Sequence, residues 1–199
     1  MKKYVIFFTG NSGSGKTYFI KNLLPKNTFH ILKSATTRQM RSNETDGCEY
    51  YFRDEKYFTK TKFATYLWVN EAFWSPGQLK WLYGVPEFEI LNNIGKHMVY
   101  DVIEPKYVRE MIEWFKKNKL NRIYDFKTIY FVPSENNKKI INKRVNMPND
   151  QEVRQNNTCL PIDFLRANLN IDFLVKCSKE ETIIPHKLTR FLLRLSKTK

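Results

Sequence analysis

The apolar residues of this chain fall into short continuous runs, separated by longer stretches with helical spacing. Short apolar runs predict strands that are buried on both faces of a parallel sheet. The predicted strands are Tyr4–Phe8, Phe29–Leu32, His97–Asp101, Thr128–Val132 and Ile171–Val175. The predicted helices are Thr17–Leu24, Pro86–Asn93, Pro105–Lys117, Glu135–Lys143 and Pro185–Leu195. This alternation indicates an α/β fold, with helices on both faces of the sheet and right-handed crossovers.

Two segments interrupt the alternation. Residues 34–85 contain aromatic-rich stretches that predict short strands around Arg38–Arg41, Tyr50–Phe52 and Leu67–Phe73. Residues 143–157 form a polar loop rich in Arg, Asn and Asp. We therefore expect one domain over residues 1–199, made of a core (1–33, 86–142 and 158–199), a small mixed-β lobe for a second substrate (34–85) and a lid (143–157).

The first chemical signal follows the first predicted strand directly. Residues 10–17 match the phosphate-binding pattern G-x-x-x-x-G-K-S/T. Its glycines let the backbone curl into a nest of N–H donors, Lys16 brings positive charge to the outer phosphates, and the Thr17 hydroxyl is placed to ligate Mg²⁺. The next helix points its positive N-terminal end at the same anion. The predicted triphosphate-binding residues are Gly10, Asn11, Ser12, Gly13, Ser14, Gly15, Lys16 and Thr17.

The formal net charge of +14 does not alter the prediction that the chain binds a triphosphate. Such a charge suits a nucleic-acid binder, but the lysines are spread along the whole chain among many Asn and Ile residues, which is typical of a genome bias. A protein that handles several phosphates also needs positive charge. We expect nucleotides as partners and no nucleic acid, although steeply salt-dependent binding to DNA or RNA would favour that alternative.

The cysteines and histidines predict no metal centre. Three cysteines without zinc spacing indicate free thiols in a reducing compartment, and the three histidines are scattered. These residues are Cys48, Cys159, Cys177, His30, His97 and His186. Because no apolar stretch reaches membrane-spanning length and the chain enters a strand at once, we expect a cytoplasmic protein without a signal peptide. We expect it to be a monomer or a homodimer.

A second phosphate site is predicted at Arg38 and Arg41, where two guanidinium groups and the Tyr50 hydroxyl suit a phosphate dianion. The two arginines alone would fit a solvated basic loop equally well. The longer string resembles the guanylate kinase family, in which T-T-R-x-x-R-x-x-E-x-D/N-G-x-x-Y-x-F follows the phosphate loop. Every specified position is filled, by Thr36, Thr37, Arg38, Arg41, Glu44, Asp46, Gly47, Tyr50 and Phe52.

This resemblance implies a P-loop nucleoside monophosphate kinase that transfers the γ-phosphoryl group of ATP to GMP or dGMP with Mg²⁺. It implies that the acceptor phosphate is held by Arg38, Arg41, Tyr50 and Tyr83. It also implies that Ser34 and Glu71 bind the guanine, and that Asp101 lies near the acceptor and holds Mg²⁺ through water. Catalysis would use Lys16 and Arg41 together with the lid residues Arg144 and Arg154.

The chain departs from the family at the base and in the lid. The second Asp of the family's L-D-x-D segment is Ile103 here, and the Thr or Ser after Tyr83-Gly84 is Val85. Two further lid arginines of the family have no counterpart. Because a hydrogen-bonding site discriminates by leaving wrong partners unpaired, these losses weaken the prediction of guanine. Another or modified base, or a catalytically weak guanylate-kinase-like binding module, remains the alternative.

Overall fold

The computed structural model describes residues 2–11, 13–25, 27–42, 44–68, 81–102, 104–132, 161–177 and 182–197. The strands are β1 (Lys3–Thr9), β2 (Phe29–Ile31), β3 (Ala35–Thr36), β4 (Tyr51–Phe52), β5 (Phe63–Trp68), β6 (Leu82–Pro86), β7 (His97–Asp101), β8 (Tyr124–Phe131), β9 (Phe173–Cys177) and β10 (Thr182–Ile183). The helices are α1 (Lys16–Asn22), α2 (Glu55–Lys60), α3 (Glu87–Leu91), α4 (Pro105–Lys117), α5 (Pro161–Arg166) and α6 (His186–Ser196).

Strand β1 lies inside a six-stranded sheet with the order β10-β9-β8-β1-β7-β2. All pairs are parallel except the edge pair of β9 and β10. Because side chains alternate along a strand, Val5 and Phe7 pack with α4, whereas Ile6 and Phe8 pack with α1 and α6. The result is a three-layer α/β arrangement, which confirms the predicted fold class.

A second, smaller sheet has the order β4-β3-β6-β5 and mixes parallel and antiparallel pairs. Its back face carries Ala35 and Leu82, which pack against Phe58 of α2. The register places Thr36 opposite Tyr83 and Thr65 opposite Val85. Since paired residues point to the same side of a sheet, these four residues share its other face, which we call the front face.

The chain therefore contains the predicted parallel sheet and the predicted mixed-β sheet. The predicted strand around Arg38–Arg41 is wrong, because the strand is β3 at Ala35–Thr36. After β3 the backbone N–H of Arg41 donates to the Glu44 side chain at 2.9 Å. This donor therefore bonds to a carboxylate and not to the backbone of a neighbouring strand. The division into core, lobe and lid stays a prediction, and the helix Glu135–Lys143 and the lid lie outside the described residues.

Other boundaries differ for local reasons. The predicted helix Pro86–Asn93 is only Glu87–Leu91, because Pro86 keeps an extended ψ of 142° and ends β6. Strand β8 begins at Tyr124, before the predicted Thr128, and its polar positions are explained by ion pairs between Lys2 and Asp125 and between Lys127 and Asp172. Helix α2 was not predicted from the sequence, although Asp54 caps its N-terminus by accepting the Tyr57 N–H at 2.9 Å. Within the described ranges, no helix is both long and apolar enough to cross a membrane.

His97 gives the fold a specific pH dependence. Its side chain is 3% exposed, and Nδ1 accepts the Tyr4 backbone N–H at 3.0 Å. Burial, with a smaller contribution from the charge of Lys3, lowers the pKa of His97 to about 4. As the pH falls from the ordinary value of 6.5 towards about 4, the unfolded chain gains a proton at this position and the folded chain does not. We expect a loss of stability on the order of 3 kcal/mol over this window.

Denaturant titrations at neutral pH and at about pH 4 would measure this loss. His97→Asn should be less stable at neutral pH, because it loses ring contacts with Tyr4 and Phe29, but its stability should vary less with pH than that of the wild type. His186→Asn, at an exposed position, is the control. Equal pH slopes for the wild type and His97→Asn would show that His97 is not the group responsible.

Candidate active site

The phosphate-binding pattern folds as a turn between β1 and α1, at the carboxyl end of the large sheet, where parallel α/β sheets bind their ligands. Gly10 has φ of +135°, and a Cβ at this position would lie 2.5 Å from the carbonyl oxygen of Phe131. Gly15 is left-handed, with φ of +96°, and precedes the first turn of α1. Both positions therefore require glycine. Gly13, Asn11 and Ser14 complete the described part of the loop, and Ser12 lies outside it.

Lys16 is held inside this loop. Its ammonium group donates to the backbone oxygens of Gly10 at 2.7 Å and Asn11 at 3.0 Å, and the residue is 7% exposed. The Asp101 carboxylate lies 3.7 Å from the same nitrogen. Asp101 ends β7, and the register pairs it with Phe8 of β1. The sheet therefore brings the lysine and the carboxylate together.

Asp101 and Thr17 fit the predicted Mg²⁺ site. Desolvation raises the pKa of Asp101, and the nearby Lys16 only partly opposes this effect. About a third of the Asp101 side chain still reaches solvent, so the carboxylate is accessible to a cation. A cation would relieve that desolvation, and the exposed Thr17 supplies a hydroxyl at the start of α1. Hydroxyl and carboxylate oxygens are the ligands that Mg²⁺ prefers. Among the described residues, no group of three His, Cys, Asp or Glu side chains forms another candidate site.

The second anion site is built around Arg38. Its guanidinium group donates to both carboxylate oxygens of Glu44, at 2.7 and 2.9 Å, and to the Gln39 backbone oxygen at 2.6 Å. Its centre lies 5.5 Å from each of the ring centroids of Tyr50 and Phe52. Arg38 is 6% exposed, so the aromatic rings and the carboxylate fix its orientation.

Glu44 joins the two predicted phosphate-binding arginines. Besides Arg38, it accepts the Arg41 backbone N–H and lies 3.6 Å from the Arg41 guanidinium. Burial acts to raise the pKa of Glu44, but the hydrogen bonds from Arg38 and Arg41 outweigh it and hold the pKa below its ordinary value. Glu44 is thus an ionised positioning residue, a role that the sequence motif alone does not reveal.

Tyr50 and Tyr83 complete this second site. Their ring centroids lie 5.9 Å apart, and Tyr83 forms side-chain hydrogen bonds with Thr36 and Arg38. Burial raises the pKa of both hydroxyls, so both are neutral donors at physiological pH. The charge of Asp101 adds to the shift at Tyr50. Asp101 therefore lies beside Lys16 of the first anion site and near enough to Tyr50 of the second for its charge to act there.

The front face of the small sheet continues away from Tyr83 towards Val85. Opposite Val85 lies Thr65, which accepts the Val85 backbone N–H at 3.4 Å. The hydroxyl of Tyr100, on β7 of the large sheet, forms side-chain hydrogen bonds with Ser34 and Thr65. Ser34 therefore lies in a cluster of three neutral hydroxyl groups beside an apolar Val85. Neither Thr65 nor Tyr100 was singled out from the sequence, because only the strand register brings them to Ser34.

Four predicted site residues, Ser12, Glu71, Arg144 and Arg154, lie outside the described residues, as does Ile103. The structure brings together Lys16, Thr17 and Asp101 at the phosphate loop, and Arg38, Arg41, Tyr50 and Tyr83 around Glu44. Their roles in binding and catalysis stay predictions.

The comparisons with known proteins point to one family. A family model described as guanylate kinase matches residues 1–73. The guanylate kinase of Mycoplasma pneumoniae is 30% identical over 122 residues, which are 57% of this chain and 50% of that protein. The guanylate kinase of Synechococcus elongatus is 33% identical over 101 residues, which are 49% of this chain and 52% of that protein. The chain thus spans about half the length of the curated relatives it matches.

The fold comparison agrees with these matches. A crystal structure of guanylate kinase from Anaplasma phagocytophilum aligns with a TM-score of 0.56, covering 100% of this chain and 88% of that chain, at 15% identity. At this identity the match shows the fold alone. Together with the sequence matches, it confirms the resemblance to the guanylate kinase family, which is a family of kinases.

Proposed function

We propose that this chain is a nucleoside monophosphate kinase of the guanylate kinase type, which transfers the γ-phosphoryl group of ATP to GMP or dGMP. The observation that supports this most directly is the position of Asp101, 3.7 Å from Lys16 and electrostatically coupled to Tyr50. A triphosphate on the loop at Lys16 and a monophosphate at Arg38 and Tyr50 would therefore meet in one cleft.

Phosphoryl transfer between two phosphates needs alignment and charge stabilisation more than proton transfer, because the nucleophile is already a phosphate oxygen. Lys16 would neutralise charge on the outer phosphates of the donor. Arg38 and Arg41, oriented by Glu44, would hold the acceptor phosphate, with Tyr50 and Tyr83 donating to its oxygens. Mg²⁺, held by Thr17 and through water by Asp101, would supply charge neutralisation between the β and γ phosphates.

Two parts of the proposal come from the sequence. Arg144 and Arg154 of the predicted lid would contact the transferring phosphoryl group, and closure of the lid and the small lobe would exclude water and so prevent hydrolysis of ATP. Intact loop and acceptor residues favour an enzyme over the binding-module alternative, whose nucleotide sites would have no need of Lys16.

We infer the preference for the acceptor's base from the order of side chains along the front face of the small sheet. Tyr83 lies at the phosphate end, and Val85, two residues further along β6, lies roughly 7 Å away, which is in the direction in which a base would extend. The described groups there are Val85 and the hydroxyls of Ser34, Thr65 and Tyr100. Neutral hydroxyl groups both donate and accept hydrogen bonds, so these three match more than one base edge and would leave the selection of guanine to the predicted carboxylate of Glu71.

A coupled assay of ADP release, with ATP, Mg²⁺ and a panel of ribo- and deoxyribonucleoside monophosphates, tests the proposal. We expect turnover of GMP or dGMP, with a preference in kcat/KM over the next base of less than about 10²-fold, compared with about 10⁴-fold or more for a site built on complete hydrogen bonding. Turnover of none of the panel would contradict the kinase. A guanine preference above about 10⁴-fold would contradict the expectation that the apolar residues Ile103 and Val85 weaken the selection of guanine.

A further inference from the structure

The polypeptide crosses between the large and small sheets at two places on the described chain. The first crossing runs from β2 through Lys33 and Ser34 into β3, and the second runs from β6 through Pro86 into α3. Motion of the small sheet relative to the large one must bend these two segments. Contacts between them therefore help to set where the acceptor-binding residues lie relative to the phosphate loop.

One buried carboxylate connects both crossings. Glu89, on α3, is 3% exposed. Its Oε1 accepts from His30 Nε2 at 2.7 Å and from the Lys33 backbone N–H at 3.3 Å, and its Oε2 accepts the Tyr51 hydroxyl at 2.6 Å. These partners belong to the large sheet, the first crossing and the small sheet, respectively.

The buried negative charge of Glu89 is stabilised by all three contacts. Burial acts to raise the pKa of Glu89, but the hydrogen bonds from His30 and Tyr51 outweigh it and hold the pKa below its ordinary value. The group is therefore a buried anion whose stability depends on its donors. Hydrogen bonds to charged groups are stronger than those between neutral groups, and losing one leaves the charge poorly solvated.

The contacts end next to the predicted acceptor site. Lys33 directly precedes Ser34, and Tyr51 directly follows Tyr50. The Tyr51 ring also contacts Phe88 of α3, at 5.7 Å between centroids, and its backbone N–H donates to the Ser34 carbonyl at 2.9 Å. A change at Glu89 is thus transmitted to both Ser34 and Tyr50 through adjacent residues.

We propose that Glu89, with His30 and Tyr51, forms a clamp at the pivot between the two sheets and positions the acceptor lobe against the phosphate loop. This inference rests on the proposed function for its effect on catalysis. Glu89 is a positioning residue: its carboxylate acts through Lys33 and Tyr51. Because the acceptor phosphate is bound by residues of the small lobe itself, loosening the clamp should impair the alignment for transfer more than the binding of either nucleotide.

The test compares Glu89→Gln and Tyr51→Phe with the control Glu87→Gln. Glu87 lies on the same helix, and its carboxylate accepts Trp114 Nε1 at 2.8 Å, a contact within the core. We expect Glu89→Gln and Tyr51→Phe to lower kcat by about ten- to a hundredfold, because small misplacements of reacting groups have effects of this size. The KM for ATP should stay within about twofold of the wild-type value, since none of the three clamp residues belongs to the phosphate loop. Glu87→Gln should keep kcat within about twofold.

A distance measurement tests the clamp without activity. Cys48 is an exposed free thiol on the small lobe and can carry the first spin label. The second label can be attached through Lys187→Cys, at an exposed position of α6. The other two cysteines are removed by Cys159→Ser and Cys177→Ser. Pulsed electron spin resonance, with and without GMP and a non-hydrolysable ATP analogue, reports the spread of lobe positions. We expect broader distributions for Glu89→Gln and Tyr51→Phe than for the wild type and Glu87→Gln.

The results of these experiments distinguish a failure of the clamp proposal from a failure of the kinase proposal. Distance distributions and kcat for Glu89→Gln that match those of Glu87→Gln would overturn the clamp, as would a loss of kcat that follows only the fraction of unfolded protein. Tyr51→Phe keeps the test available if Glu89→Gln does not fold. If the wild type turns over no nucleotide, the kinase proposal fails, while the distance distributions still decide on the clamp.

Discussion

Replacement of Lys16 with alanine is expected to lower kcat for phosphoryl transfer by about 10³-fold, the size of effect seen when one preorganised charge is removed from a transition state. In the structure the Lys16 ammonium group is 7% exposed, and two carbonyl oxygens of its own loop hold it at hydrogen-bonding distance. It is therefore already oriented before the donor binds. Its removal also leaves Asp101 without the cation 3.7 Å away.

A matched control is Lys21→Ala, which removes a mostly exposed lysine from the same helix. We expect it to retain kcat within about twofold, since exposed ion pairs contribute little. Steady-state rates with saturating ATP and acceptor, together with thermal unfolding of both variants, make the comparison. A Lys16→Ala enzyme that is folded and fully active would refute the proposed mechanism.

Replacement of Arg38 with alanine is expected to lower kcat/KM for the acceptor by about 10³-fold, because a charged, forked donor is lost from a site that excludes water. The same change should destabilise the fold by about 3 kcal/mol, because it leaves the Glu44 carboxylate buried and unpaired on that side. Denaturant titration measures the second effect separately from the kinetics.

The double variant Arg38→Ala with Glu44→Gln separates the two effects. Neutralising Glu44 should restore part of the lost stability and none of the acceptor kcat/KM. Arg53→Ala is the control on the same sheet: Arg53 also pairs with a carboxylate, that of Asp46 at 2.9 Å, but is more exposed. If Arg53→Ala affected acceptor turnover as strongly as Arg38→Ala, the assignment of Arg38 to the acceptor phosphate would be wrong.

The sequence predicted the parallel core well because buried strands produce a local signal. Strand β1 is apolar along most of its length, and α4 repeats apolar residues at helical spacing, from Tyr107 and Val108 to Met111 and Phe115. The phosphate loop is equally local, since its function needs glycine, lysine and threonine at fixed spacing. The pairing of Arg38 and Arg41 was also predicted, although as a pair of phosphate ligands and without Glu44 between them.

Contacts between distant parts of the chain could not be predicted in this way. Strand β6 contains Gly84 and Pro86, which are poor strand residues; Gly84 is required there because a Cβ would lie 2.6 Å from the Phe63 ring. The bonds of Glu89 to His30 and Tyr51 span 59 and 38 residues, respectively. The hydroxyl cluster likewise depends on the register of β5 against β6 and on the closeness of β7.

Glu44 has a consequence for competition by small anions. Its negative charge cancels one of the two positive charges of Arg38 and Arg41, and it already occupies two of the guanidinium hydrogen bonds. Free orthophosphate would therefore meet a pocket of low net charge and be held weakly, whereas a nucleotide adds the contacts of its base and sugar. In the proposed reaction the same partial neutralisation would favour release of the diphosphate product, so that this carboxylate would limit the inhibition of turnover by inorganic phosphate.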